Sequence, residues 1–99
     1  MESLTALSDP TRQRILQMLA GGALSSGDIA SRFAISAPAV SQHLKTLRDA
    51  RLVRVRPEKQ KRFYELDPDG VGEVANWVND LRRFWANKLA ALEAELAKP

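Results

Sequence analysis

The sequence lacks cysteine, and it also lacks any long apolar run. Without thiols the chain can form no disulfide, thiolate metal site or iron–sulfur cluster, and thiol-based oxidant sensing is excluded. No apolar run approaches the roughly 20 residues that a transmembrane helix needs. The segment Met1–Leu4 has no basic patch followed by an apolar stretch. We therefore expect an intracellular, cytoplasmic protein with no membrane span and no secretory signal.

Groups that carry enzymatic or metal chemistry are also scarce. The chain has one histidine, His43, and its motifs include no Ser–His–Asp set, paired-carboxylate cleft or glycine-rich phosphate loop. A transition-metal site needs several converging His, Cys or carboxylate ligands. Asp80, Glu93 and Glu95 are instead spread along one predicted helix, and we interpret them as solvated surface acids. We expect no enzymatic activity, no metal and no cofactor.

The composition is typical of one small globular domain. Its 99 residues are 44% hydrophobic and 27% charged, so we expect a single domain over residues 1–99 whose modest core benefits from self-association. The net charge is +3, but residues 36–66 hold eight basic and three acidic side chains. Such clustering is typical of a surface that binds a polyanion, although a solvated charged face gives the same pattern.

Helix-start and helix-stop signals divide the first half of the chain into short helices. A serine or aspartate at an N-cap, followed by proline or an acidic residue in the first turn, marks the starts, and a glycine pair marks one stop. Two short helices joined by about three residues predict a helix-turn-helix. The predicted helices are Leu4–Leu7, Asp9 to Gly21, Ser25 or Ser26 to Phe33, and residues 36–50.

The predicted helix over residues 36–50 has one apolar and one polar face. Val40, Leu44 and Leu47 recur at helical spacing and mark its buried side. The opposite face carries small and hydrogen-bonding side chains, which can contact base edges in a DNA major groove about 12 Å wide. For His43, at the flank, three roles stay open: a phosphate or base contact, a pH-sensitive group, or a half-buried residue bonded to the backbone. The candidate DNA contacts are Ser36, Pro38, Ala39, Ser41, Gln42, His43, Lys45 and Thr46.

Residues 52–66 change to a strand pattern. Leu52–Arg56 and Arg62–Leu66 are rich in β-branched and aromatic residues, and residues 57–61 form a polar connection led by proline. The pattern predicts a two-stranded antiparallel hairpin that packs on the helices. Cations at its tip can follow DNA phosphates or enter a neighbouring minor groove. The alternative is that they discourage edge-to-edge aggregation. The candidate DNA contacts here are Arg56, Lys59, Lys61 and Arg62.

Residues 68–97 are predicted as one long helix with an apolar stripe. Such a helix is about 40 Å long, so a chain of this size cannot cover the stripe by itself, and pairing of two copies is the economical solution. We predict a homodimer in which the aromatic side chains serve packing rather than an effector pocket. Lys88 either extends to the solvent edge or pairs with an acid of the partner. The candidate interface residues are Leu4, Leu7, Trp77, Leu81, Phe84, Trp85, Lys88 and Leu92.

Three stretches together resemble the ArsR-type winged helix-turn-helix regulators: LSDPTRQRILQML (Leu7–Leu19), SAPAVSQHLKTLRDARLV (Ser36–Val53) and VRVRPEKQKRFYEL (Val53–Leu66). The segment Trp77–Leu96 looks like the last helix of a subgroup of that family. The resemblance implies a mainly α fold with a small β-hairpin: a winged helix-turn-helix of about five helices plus a two-stranded wing. It also implies a dimeric transcriptional repressor that binds double-stranded DNA at an inverted-repeat operator. On the family pattern the recognition positions are Ser41, Gln42 and His43, and the wing is Arg56–Arg62.

The sequence departs from the metal-sensing members of that family. Many of them sense metals through cysteine pairs near the second or third helix, or through His and Asp at the dimer helix. Here the helix Ser25–Phe33 has no cysteine and the last helix has no histidine, so we predict a regulator that does not sense metals. The alternative function is a protein-interaction module on a winged-helix scaffold with no specific DNA target. A nucleic-acid binder without sequence preference is a third possibility.

Overall fold

Five helices and three short strands follow one another in the computed structural model, which describes residues 2–98. The predicted mainly α fold of about five helices with a β-hairpin is confirmed. In chain order the elements are α1 (Glu2–Leu7), α2 (Pro10–Leu19), β1 (Leu24–Ser25), α3 (Ser26–Ala30), α4 (Ala37–Asp49), β2 (Val53–Glu58), β3 (Lys61–Leu66) and α5 (Pro68–Leu96).

Short polar side chains begin three helices where the sequence predicted their starts. Asp9, Ser25 and Ser36 are the N-caps of α2, α3 and α4, and each side chain accepts a hydrogen bond from the backbone amide three residues later, at 3.0, 3.1 and 3.2 Å. Each cap satisfies one of the amides that a helix start leaves without a partner. α1 begins earlier than predicted, at Glu2. α2 ends before the glycine pair, whose second member, Gly22, has a φ of 133°.

The core lies between the first four helices and the base of the hairpin. Ile15 of α2, Ile29 of α3 and Leu47 of α4 are each 0% exposed, so these three helices meet at one centre. Because the apolar side of α4 faces this centre, its polar side is turned outward, as the helical spacing predicted. The buried apolar side chains are Ala6, Ile15, Leu19, Ile29, Val40, Leu44, Leu47, Leu52 and Val53.

The hairpin has longer strands and a shorter turn than the sequence predicted. β2 and β3 pair antiparallel as far as Glu58 and Lys61. The connection is therefore the two residues Lys59–Gln60, and the predicted five-residue connection over 57–61 is wrong. Lys59 has a positive φ of 56°, as two-residue hairpin turns require. Pro57 is tolerated inside β2 because that strand lies at the edge of the sheet.

A third strand, β1, joins the hairpin and was not predicted. It pairs antiparallel with β3, with Leu24 opposite Tyr64 and Ser25 opposite Phe63. The sheet order is therefore β1–β3–β2. Two residues are too few to show a periodicity of 2, which explains why the sequence analysis missed this strand. The pairing joins the middle of β3 to the segment between α2 and α3.

The start of α5 packs closely on the segment that leaves α4. Arg51 has a positive φ of 63°, and the Leu52 amide donates to the Leu47 carbonyl at 3.0 Å, which is a Schellman-type helix end. Gly70 of α5 is buried directly against the Arg51 backbone. The Arg51 side chain also pairs with Glu73 at 3.4 Å. The end of α4 and the beginning of α5 are thus joined by backbone contact as well as by side chains.

Beyond its first turns α5 leaves the rest of the chain. Val71 and Val74 are partly buried against the core, whereas residues 75–96 are exposed. The helix has 29 residues and is therefore about 43 Å long, which accounts for overall extents of 69 × 27 × 23 Å. Among residues 2–98, no helix combines the length and hydrophobicity that crossing a membrane requires.

Candidate nucleic-acid interface

The outward side of α4 carries the accessible part of the candidate surface. Pro38, Ser41, Gln42 and Lys45 are exposed, because the apolar row on the other side of the helix is fixed in the core. Ser36 is also exposed, and its hydroxyl is used as the N-cap. Serine hydroxyls and glutamine amides both donate and accept, which is the pattern that base edges present in a major groove.

The flank of α4 that faces α1 and α2 is less accessible than the sequence predicted. Ala39, His43 and Thr46 are half-buried. The Thr46 hydroxyl donates to the Gln42 carbonyl at 3.1 Å, and the side chain lies in a shallow cleft shared with Ala6 of α1. The candidate contacts on α4 therefore divide into an exposed group and a half-buried group.

Lys45 forms an ion pair with another residue of its own helix. Its Nζ donates to Asp49 Oδ2 at 3.0 Å, and the two side chains are 68% and 64% exposed. An exposed pair at this spacing contributes only about 0.3–0.5 kcal/mol. A phosphate can therefore replace Asp49 as the partner of Lys45 at little cost.

His43 is held by a polar network that reaches α1 and α2. Its Nδ1 lies 3.2 Å from Arg12 Nη1 and 3.8 Å from Asp9 Oδ2. The same guanidinium donates through Nε to the Ala6 carbonyl at 2.7 Å and through Nη2 to the Thr5 carbonyl at 3.4 Å. The hydrogen bond from the Arg12 amide is the main reason why the pKa of Asp9 lies below its ordinary value. His43 is thus half-buried with a side-chain partner, and its contact with DNA stays a prediction.

The wing cations are divided between the two faces of the hairpin. Residues directly opposite each other in a ladder share a face, and successive residues alternate. Arg56 lies opposite Phe63, and Pro57 lies opposite Arg62, so Arg56 and Arg62 are on different faces. The Arg56 guanidinium is 5.8 Å from the Phe63 ring centroid and pairs with Glu58 at 3.2 Å.

Acidic side chains pair with two of the arginines in the wing. Arg54 Nε donates to Glu65 Oε1 at 3.0 Å, in addition to the pair just described. Lys59, Lys61 and Arg62 are exposed at or beside the turn, and none of the three forms an ion pair with another of residues 2–98. Within the wing, the cations that have no acidic partner among the described residues therefore lie at its tip.

The candidate interface residues fall into two groups. Leu4 and Leu7 of α1 are half-buried within the chain itself, and Leu7 packs against the core. The large apolar residues of α5 from Trp77 onward, which we call the terminal stripe, are exposed. Lys88 lies beside this stripe, with its Nζ 5.4 Å from the Phe84 ring centroid. The members of the terminal stripe, with their exposed fractions, are Trp77 41%, Val78 41%, Leu81 38%, Phe84 53%, Trp85 55%, Leu89 55%, Leu92 54% and Leu96 76%.

Arg12 is a part of this site that the sequence analysis did not single out. Asp9 was predicted as a helix cap, but its proximity to His43 was not. The Arg12–His43 contact joins residues 31 positions apart, and no local pattern in the sequence signals it. Within residues 2–98 the structure brings together no three His, Asp or Glu side chains that could hold a metal ion.

The arrangement of α2, α3, α4 and the hairpin defines the class of protein. Two short helices precede a third that presents a polar face, and an antiparallel wing follows directly. This is a winged helix-turn-helix, in which the outward helix is the one that enters a DNA groove.

Comparison with known proteins identifies the family. The model of a helix-turn-helix domain family matches residues 7–56. The chain is 48% identical over 84 residues to the HTH-type transcriptional regulator Rv2034 of Mycobacterium tuberculosis, covering 85% of this chain and 76% of that protein. It is 40% identical over 73 residues to the transcriptional repressor SdpR of Bacillus subtilis, covering 74% and 81% respectively. The crystal structure of a possible transcriptional regulator for arsenical resistance matches with a TM-score of 0.77 at 33% identity, over 99% of both chains.

The chain belongs to the ArsR-type family of winged helix-turn-helix transcriptional regulators. It is therefore a DNA-binding regulator of transcription and not an enzyme.

Proposed function

We propose that the protein is a sequence-specific transcriptional repressor that binds an inverted-repeat operator as a homodimer. Each copy inserts α4, the recognition helix, into a major groove and lays its wing beside the flanking backbone. Two-fold symmetry then spaces the two half-sites about one helical turn apart. The repressor role is supported by the similarity to SdpR, which is itself named a transcriptional repressor.

The observation that carries the proposal is the exposed polar face of the recognition helix. Ser41 and Gln42 project from a helix whose opposite side is locked in the core, so their positions are fixed before DNA arrives. Because the backbone of the recognition helix is already fixed, binding has to order only the rotamers of these exposed side chains. Gln42 can bond the N6 and N7 edge of adenine with both ends of its amide.

Affinity and specificity are assigned to different parts of the site. Lys59, Lys61 and Arg62 at the wing tip neutralise phosphates, which favours all sequences alike and makes binding weaken with salt. Lys45 adds a phosphate contact once it leaves Asp49. Ser41 and Gln42 supply the sequence preference.

The homodimer is supported by the terminal stripe. Eight apolar side chains that are each at least 38% exposed follow one side of α5, and solvated monomers rarely leave such a large continuous apolar patch in water. Two copies pairing along α5 bury the stripe and set the distance between their recognition helices. Lys88, whose Nζ lies over the Phe84 ring, keeps both predicted roles in this dimer, which are extension to the solvent edge and pairing with an acid of the partner.

Selection from a pool of random duplex DNA tests the proposal. We expect enrichment of an inverted repeat, and Gln42→Ala should weaken binding to the enriched site by about 1–3 kcal/mol with little change on random DNA. Gln17→Ala, at an exposed glutamine of α2, is the matched control. Retention of DNA with no enriched sequence would favour a binder without sequence preference. Failure to retain DNA would favour a protein-interaction module.

A further inference from the structure

One arginine side chain connects the recognition helix to the two helices behind it. Arg12 donates to the carbonyls of Thr5 and Ala6 at the end of α1, and its Nη1 lies 3.2 Å from Nδ1 of His43 on α4. Its backbone amide is bonded to Asp9, the N-cap of α2. The two carbonyls of α1 therefore hold the guanidinium beside the imidazole, and the cap holds the start of the helix that carries it.

The chemistry of this contact determines where the imidazole carries its proton. The other polar atom near Nδ1 of His43 is Asp9 Oδ2, which at 3.8 Å lies beyond hydrogen-bond distance. A guanidinium has only donors, so the hydrogen bond with Arg12 makes Nδ1 the acceptor, and an accepting nitrogen carries no proton. A neutral imidazole with an unprotonated Nδ1 carries its proton on Nε2. Arg12 thus selects the Nε2–H tautomer of His43.

The second ring nitrogen of His43 is Nε2, which lies on the side of the ring away from Arg12. Among residues 2–98 the structure gives Nε2 no hydrogen bond, and the side chain keeps 23% of its surface exposed. His43 directly follows Gln42 on the recognition helix, beside the exposed polar face. A donor that is left without an internal partner at this position is available to an acceptor on DNA.

We propose that Arg12 is a positioning residue for DNA recognition, which holds the His43 imidazole so that Nε2–H donates to an acceptor atom of the bound duplex. Arg12 itself does not touch DNA. The inference rests on the proposed placement of the recognition helix in DNA and adds the residue that orients one of its contacts.

The tautomer can be measured in the free protein. His43 is the sole histidine, so the long-range ¹H–¹⁵N spectrum of the uniformly labelled chain shows one imidazole. At a pH at which the ring is neutral, we expect an unprotonated Nδ1 and a protonated Nε2. Arg12→Gln should give averaged signals of the two tautomers, and Arg14→Gln, at an exposed arginine of the same helix, should leave them unchanged. A protonated Nδ1 in the unaltered protein overturns the inference.

Affinity for the selected operator tests whether Nε2–H of His43 donates to DNA. A glutamine amide places its nitrogen near the position of Nε2, and an asparagine amide places it near Nδ1. His43→Gln should therefore retain most of the affinity, whereas His43→Asn and Arg12→Gln should each lose about tenfold, the effect of one hydrogen bond. Arg12→Gln in the His43→Gln background should cause no further loss, because glutamine has no tautomers to select.

Additive losses in the double variant overturn the proposal, since they show that Arg12 acts independently of His43. Thermal melting curves of Arg12→Gln and Arg12→Lys show whether these variants still fold. A variant that folds but binds the operator weakly has lost positioning rather than folding. If Gln42→Ala discriminates between sequences but His43→Asn binds like the unaltered protein, the proposed function stands and this inference fails. If no operator can be selected, the tautomer measurement still shows whether Nδ1 of His43 accepts a hydrogen bond from Arg12.

Discussion

Replacing Gly70 by alanine tests the junction between the recognition helix and the long α5 helix. An ideal Cβ at this position would lie 1.6 Å from the Arg51 carbonyl oxygen and 2.6 Å from its carbonyl carbon. Ordinary non-bonded contact requires about 3.5 Å, so the two backbones must separate by about 2 Å. Overpacking of this kind costs about 1–3 kcal/mol, and more where the obstacle is backbone.

Gly72, one half-turn along the same helix, provides the control. A Cβ built there meets nothing within 4 Å, so Gly72→Ala should stabilise the helix by about 1 kcal/mol through propensity alone. We expect Gly70→Ala to be less stable than Gly72→Ala by about 3 kcal/mol, which corresponds to more than about 10 °C in melting temperature for a domain of this size. Urea unfolding followed by circular dichroism measures the difference. Equal stability of the two variants would contradict the close approach of Gly70 to Arg51.

Two further predictions concern the N-terminal network and the terminal stripe. The pKa of Asp9 is lowered in the folded state, so its carboxylate stabilises the protein above its unfolded pKa, and this contribution is lost as pH falls through the folded pKa. Asp9→Asn keeps a capping oxygen but cannot titrate. The melting temperature of this variant should therefore fall less on acidification than that of the unaltered protein. The same pH dependence in both proteins would contradict the prediction. Trp85→Glu should raise the dissociation constant of the dimer more than about tenfold, whereas Asn79→Glu should not. Sedimentation velocity measures the fraction of dimer formed by each of the two variants. A dimer that tolerates Trp85→Glu would refute the predicted interface.

Features of the fold that depend on neighbouring residues could be predicted from the sequence. The caps at Asp9, Ser25 and Ser36 involve contacts within three residues, and the inward side of α4 follows from the spacing of Val40, Leu44 and Leu47. Each of these is set by local geometry, so the pattern of residue types is sufficient to find it. The exposed polar face of α4 follows from the same spacing.

Features that depend on distant contacts could not be predicted in this way. Pro57 favoured a long connection, but β2 tolerates a proline because its position at the sheet edge is a property of the whole sheet. The half-burial of His43 depends on where α1 and α2 lie, and Gly70 matters because Arg51 passes beneath it. No local pattern encodes which segments meet across the fold.

The junction at Gly70 also bears on how the proposed dimer reaches DNA. In the proposed complex, α5 sets the relation between two copies and α4 contacts the operator. The Arg51–Glu73 pair and the backbone contact at Gly70 are the points where these helices are joined. A rigid junction fixes the separation of the two recognition helices and therefore the spacing of the half-sites.

Site-directed DNA cleavage tests the placement of the recognition helix most directly. Because the chain has no cysteine, Ala37→Cys at the exposed first residue of α4 supplies a unique thiol for a tethered cleavage reagent and leaves Ser41 and Gln42 in place. Asn87→Cys on α5 supplies the control. We predict that the reagent at position 37 cuts the selected operator at two symmetric positions about one helical turn apart, with no such cuts from position 87. Cleavage from position 87 at the operator, or the absence of paired cuts from position 37, would contradict the account.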